Sequence, residues 1–78
     1  MMAKFKIRYT DRYNGYYRVE TDILTDAIET FNRIKQRKSV YEIWVIFNHK
    51  AYSTVGELQK AVDEENQMEA LLLTIILQ

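Results

Sequence analysis

Residues 3 to 10 alternate without a break. Phe5, Ile7 and Tyr9 fall on one side of an extended chain, and Lys4, Lys6 and Arg8 fall on the other. Period two is the mark of a strand with one face in a core and the other in water. Residues 16 to 22 repeat the pattern, with Tyr17, Val19 and Thr21 set against Tyr16, Arg18 and Glu20. Asn14-Gly15 stands between the two runs and signals a hairpin. A two-residue Asn-Gly turn would set Tyr9 opposite Glu20 and mix the faces. A three-residue loop, Tyr13-Asn14-Gly15, sets Tyr9 opposite Val19 and Ile7 opposite Thr21. It also sets Arg8 across from Glu20 and Lys6 across from Asp22. That loop ends on a left-handed residue, which Gly15 adopts at no steric cost, so it is the register expected.

The pattern then changes period. Leu24, Ile28, Phe31 and Ile34 recur at helical spacing with Ala27 beside them, and Asp26 with Glu29 three residues on resembles a capping box. Acidic residues open this helix, and Arg33, Lys35, Arg37 and Lys38 close it, matching the macrodipole at both ends. Ser39 is placed in the exit turn. Val40 to Phe47 is rich in β-branched and aromatic residues and reads as a third strand. Tyr41, Ile43, Val45 and Phe47 occupy one of its faces, Glu42, Trp44 and Ile46 the other. Asn48-His49 reads as a tight turn and Ala51-Tyr52 as a short edge strand. Thr54, with Glu57 three residues on, caps a second helix whose stripe is Val55, Leu58, Ala61 and Val62. This helix is expected to end near Asn66, because further turns would bring Glu65 and Glu69 onto the stripe. Met68 to Leu77 is then read as a buried strand, with Leu72 and Ile76 facing away from Leu71, Leu73, Ile75 and Leu77. The expected fold is α+β over residues 1–78 as a single domain: a mainly antiparallel sheet with two helices packed on it, in the order β-β-α-β-β-α-β. In the alternative, the last strand is replaced by an extension of the second helix.

Composition narrows the function. The 78 residues include no cysteine and one histidine, which removes disulfides, thiolate metal sites and histidine clusters within one chain. Lys and Arg number 11, as do Asp and Glu. A net charge of zero provides no general field for nucleic acid or acidic membranes. The N-terminal basic residues lead into no signal-peptide core, and the apolar run from Ala70 to Leu77 is far short of the roughly 20 residues that span a bilayer. A cytoplasmic chain with no membrane contact is expected. Hydrophobic content of 47% and aromatic content of 13% exclude a disordered chain.

No residue pattern carries catalysis. His49 lies in a turn, Ser53, Thr54 and Asp63 have no triad or nucleophile-elbow spacing, and Gly15 and Gly56 are too far apart for a phosphate loop. Asp63, Glu64, Glu65 and Glu69 have no calcium-loop spacing. Under the expected boundaries they crowd the negative end of the second helix, which would favour a basic neighbour. No cofactor and no metal is expected, and no enzyme. The basic cluster Arg33, Lys35, Arg37 and Lys38 is the densest positive patch and would suit an anionic partner, but a solvated helix end with dipole-matched charge is the favoured account of it. Lys4, Lys6, Arg8 and Arg18 with Tyr13 and Tyr16 resemble a nucleic-acid sheet face, but cross-strand pairing with Glu20 and Asp22 would neutralise two of the cations.

The surplus of apolar strand surface is more informative. Two helices on one face of the sheet leave Trp44 and Ile46 uncovered, with Leu72 and Ile76 added from the last segment. Four such side chains, fully buried, are worth about 6–12 kcal/mol, comparable to the whole stability of a small domain. A patch of that size is expected to meet a partner. The expected role is therefore a non-catalytic binding or regulatory module, most simply a homodimer or a protein-partner complex, using Trp44, Ile46, Leu72, Ile76 and Tyr16. Small cysteine-free chains of this kind are common among phage and mobile-element inhibitors and regulators. The alternative class is a nucleic-acid-binding module using the basic sheet face or the basic helix end. An enzyme built around His49 across a dimer interface ranks last.

Overall fold

A computed structural model of the chain describes residues 3–13 and 15–77. The elements run β1 (Phe5–Asp11), β2 (Gly15–Thr21), α1 (Leu24–Lys35), β3 (Val40–Phe47), β4 (Lys50–Tyr52) and α2 (Val55–Leu77). The strands form one antiparallel sheet in the order β2-β1-β3-β4, so the fold is α+β. The core lies on one face of the sheet. Phe5, Ile7 and Tyr9 of β1 and Val45 and Phe47 of β3 meet Ala27, Phe31 and Ile34 of α1 and Leu58 of α2. Phe5 and Phe47 stack across the strands, 5.2 Å between ring centroids, and Tyr9 stacks on Tyr17 at 5.3 Å. Each apolar set is the one that period two or helical spacing selects.

The first hairpin closes one residue earlier along the chain than its sequence suggests, with a connection of the same length. Asp11 pairs with Gly15, and Ile7 faces Val19 while Tyr9 faces Tyr17. Asn14 lies outside the described residues. Gly15 has φ 87, so it is the left-handed residue, but it also opens β2. The shift moves the partner by two residues and therefore keeps every side chain on its expected face. It changes the charge pairs, however: Arg8 faces Arg18, and Lys6 faces Glu20. Asp11 accounts for the earlier closure. Its carboxylate accepts the Tyr13 backbone N–H at 2.8 Å and the Ser39 hydroxyl at 2.7 Å, holding the loop in an Asx-type turn.

Two further features differ from expectation, the start of α1 and the register at the start of β3, while the β3–β4 turn agrees with it. α1 begins at Leu24, after Ile23, which offers no side-chain cap; Asp26 sits within the first turn, where its charge meets the helix dipole. At the start of β3 the register slips between Thr10 and Asp11, the latter pairing with Val40. The resulting bulge turns Tyr41 out to solvent, away from the core face that it would share by simple alternation. Asn48 and His49 have φ 51 and φ 66, both left-handed, as a two-residue type I′ hairpin requires.

At the C-terminus the alternative order holds and the first one does not: α2 passes Asn66 without a break and runs for 23 residues to Leu77 in place of a last strand. Thr54 caps it as expected, accepting the Glu57 N–H at 3.2 Å. Val55, Leu58, Ala61 and Val62 pack on the core. From Asn66 through Ile76 every residue is exposed, and the molecule extends to 56 × 26 × 18 Å. The conflict posed by Glu65 and Glu69 arises only if the helix stays on the sheet. It leaves the sheet instead, so those carboxylates are not forced into the core. Among the described residues no helix is long and apolar enough to cross a membrane.

Candidate functional site

The face of the sheet opposite the helices has no cover. Its side chains form three rows across the strands: Glu20, Lys6, Ile46 and Ala51; then Arg18, Arg8 and Trp44; then Tyr16, Thr10 and Glu42. Period two alone brings these residues to one side, since each sits one position from a core residue. Trp44 is at the centre and keeps 36% of its surface exposed; Tyr16 keeps 53%. Ile46 is half-buried. The Arg8 Nε–H donates to the Tyr16 hydroxyl, and the guanidinium carbon lies 5.2 Å from the centroid of that ring. Arg18 pairs along its own strand with Glu20, Nε to Oε1 3.3 Å. Arg8 thus stands between Tyr16 and Trp44 without the carboxylate that the expected register would have given it.

One end of this face is hollowed. Ala3, Lys4, Lys6, Ile46, Asn48 and His49 line a shallow cavity of about 200 Å³. An apolar floor beside two ammonium groups suits an apolar side chain next to an anion. On the helical side of the same end, Lys4, Phe5, Asp22 and Phe47 lie near Val62, Glu65, Asn66 and Glu69 around a second hollow. Here α2 departs from the sheet.

The second uncovered surface is the departing helix. At about 100° per residue, Met68, Leu71, Leu72, Ile75 and Ile76 share one side, at the i, i+3, i+4, i+7, i+8 spacing. All five are more than half exposed. Leu72 and Ile76 therefore do lie on an open surface, but on a helix, and together with Leu71 and Ile75 rather than opposed to them. Thr74 turns its hydroxyl back to the Ala70 carbonyl at 2.9 Å, so even the polar side of this stretch offers little to water. Trp44, Ile46 and Tyr16 belong to one surface, and Leu72 and Ile76 to another; within one chain the structure does not join them.

The remaining candidates stay apart. Arg33, Lys35, Arg37 and Lys38 are exposed around the end of α1, with the Lys35 ammonium 5.6 Å from the Phe31 ring centroid. Asp63, Glu64 and Glu65 sit in the middle of α2, far from its C-terminus, so the dipole conflict expected for them does not arise; Gln59 donates to Asp63 at 3.1 Å. His49 is exposed in its turn. Among the described residues no group of three or more His, Cys, Asp or Glu side chains is placed to hold a metal ion. What sequence reasoning missed is the role of Asp11, the single buried polar residue of the described set, whose odd position in β1 was the available signal. Comparison with protein-family models, with curated proteins and with solved structures finds no match.

Proposed function

We propose that this chain is a non-catalytic binding module that works through the open face of its sheet and the apolar end of α2. The observation that carries the reading is Trp44, held at the middle of an uncovered sheet face by the strands on whose other side the core is built. Large aromatic residues beside arginine are the usual anchors of protein interfaces. An exposed apolar surface rimmed by charge marks an interaction site. A role as inhibitor or regulator follows from binding alone, and it is the role proposed here; the partner is a protein, including the chain itself.

Association of wild type and Trp44→Ala, measured by light scattering and by capture of binding proteins from the native host, tests the reading. The variant should keep the urea midpoint of a dilute wild-type sample and lose association. A variant that unfolds outright while wild type is monomeric would assign Trp44 to the core and remove the proposal.

One observation favours a second reading. Lys6, Arg8 and Arg18 share the open face with Trp44 and Tyr16, and of these three cations Arg18 is ion-paired, with Glu20. Cations beside aromatic rings hold single-stranded nucleic acid by phosphate contact and base stacking. Three cations imply a salt slope of only about −2 on a log–log plot, and with no net charge such binding is weak at physiological salt. Retention on heparin followed by titration with a single-stranded oligonucleotide separates the readings; tight binding at physiological salt would put nucleic acid first.

A further inference from the structure

We infer that the occupant of the open sheet face is the α2 tip of a second copy of the chain, exchanged reciprocally, so that each copy supplies the helix missing from the other. This rests on the reading above and names its partner. Three observations support it.

The first is placement. The tip leaves from the helical layer of its own sheet, beside Phe5 and Phe47, and cannot fold back over the face opposite. A two-fold axis lying in the plane of the sheet, just beyond that end, reverses the two layers. It brings the helical layer of one copy level with the open face of the other. Both tips are then seated by one closed, symmetric operation. The dimensions agree: residues 67 to 77 span about 16 Å as helix, and the seven-residue β1, at about 3.3 Å per residue, presents a face about 20 Å long in the direction the tip would run.

The second is area. A standard interface takes about 800 Å² from each partner, of which about 450 Å² is apolar. A fully exposed leucine-sized side chain offers about 60–120 Å², so the five stripe residues at 56% to 75% exposure offer about 200–400 Å². Two tips paired with each other fall short. Adding the exposed parts of Trp44 and Tyr16, about 130–220 Å² together, gives each copy about 330–620 Å², a range centred on the required amount, because in the exchange each contributes a tip and a face.

The third is charge. Glu65 and Glu69 stand at the root of the tip, where Lys4 of the same chain lines the hollow beside them, and the end of the open face nearest the axis adds Lys6 at the cavity that Ile46 also lines. The exchange sets carboxylates against ammonium groups there, and leaves Leu72, Ile75 and Ile76 to run on over Trp44. A helical extension of this length with no tertiary contact is also marginal in water; the second copy gives it a surface to lie on.

Trp44 is the only tryptophan, so its fluorescence reports the cover directly. Wild type should dimerise by light scattering as concentration rises, and the Trp44 emission should move to shorter wavelength over the same range. Leu72→Asp and Ile75→Asp, exposed in the monomer, should each weaken the dimer about tenfold or more and abolish the emission shift. In mixtures, the Arg8→Cys and Leu72→Cys variants should form a disulfide with each other. A dimer whose Trp44 emission does not change, or in which Leu72→Cys crosslinks only to itself, would mean tip-to-tip pairing and overturn the exchange. A chain that stays monomeric would overturn it too. If Trp44 emission in that monomer then responded to another protein or an oligonucleotide, the docking reading would survive without the second copy.

Discussion

The Ser39 hydroxyl donates to the Asp11 carboxylate at 2.7 Å and ties the exit of α1 to the first hairpin. Beside it, the Arg12 backbone N–H donates to the Ser39 carbonyl at 2.9 Å. Both contacts extend the β1–β3 ladder, whose last pair is Asp11 with Val40, into the turn before β3. Asp11 is 9% exposed, so replacing it by Ala takes the acceptor from the half-buried Ser39 hydroxyl and from the Tyr13 N–H and should cost about 1–3 kcal/mol. Ser39→Ala removes one bond to a charged acceptor and should cost about 1.5 kcal/mol or less. Urea midpoints of both variants and the double variant check this. Full additivity would mean that the two side chains do not interact.

Arg8 and Arg18 face each other across β1 and β2, so the pairing of Arg8 with Glu20 contributes nothing direct. A double-mutant cycle on Arg8 and Glu20 should return a coupling energy near zero. Replacing Arg18 by Thr removes a cross-strand like-charge pair and loses an exposed pair with Glu20. Those terms are each about 0.2–1 kcal/mol and oppose one another. Stability should therefore change by no more than about 0.5 kcal/mol. A coupling well above 1 kcal/mol between Arg8 and Glu20 would restore the register in which those two residues face each other.

Face assignments were legible in the sequence, and register and ends were not. Phe5, Ile7, Tyr9, Val45 and Phe47 reach the core because a period of two admits only two sides, and the two-residue slip of the hairpin preserves them. The slip itself depends on Asp11 finding Ser39, 28 residues away, which local spacing does not encode. Tyr41 departs from its face through a bulge set by the pairing of Asp11 with Val40. The end of α2 was misplaced for a different reason. A stripe predicts where a helix packs, not where the backbone stops being helical, and the core ends at Val62 while the helix continues. Of the proposed surface, Trp44, Ile46 and Tyr16 could be assembled from parity alone; Met68, Leu71 and Ile75 joined Leu72 and Ile76 only once the segment was known to be helical.

His49 holds φ 66, a left-handed conformation that costs an ordinary side chain about 1–2 kcal/mol and glycine nothing. Asn48 tolerates the region better than most residues, so the strain of the β3–β4 turn concentrates on His49. His49→Gly should leave the hairpin intact and raise stability by about 0.5–1 kcal/mol in urea unfolding. A loss of stability would show that the imidazole makes a contact that outweighs the backbone term.

Leu58 and Leu72 lie on the same helix two heptads apart, yet their surroundings are opposite. Leu58 is fully buried against the sheet and α1; Leu72 is 56% exposed. Truncating a buried leucine removes its transfer energy and leaves a cavity, about 2–5 kcal/mol in all. At Leu72 there is no cavity to leave, and Ala is the better helix former. In a dilute, monomeric sample Leu58→Ala should therefore lower stability by about 2–5 kcal/mol, and Leu72→Ala should change it by less than about 0.5 kcal/mol. The test is urea unfolding at two protein concentrations. If Leu72→Ala destabilises only the concentrated sample, α2 has two parts with separate tasks, one closing the core and one reaching beyond the molecule. Equal losses at both concentrations would instead place Leu72 against its own chain, and the helix would have to bend back over the sheet.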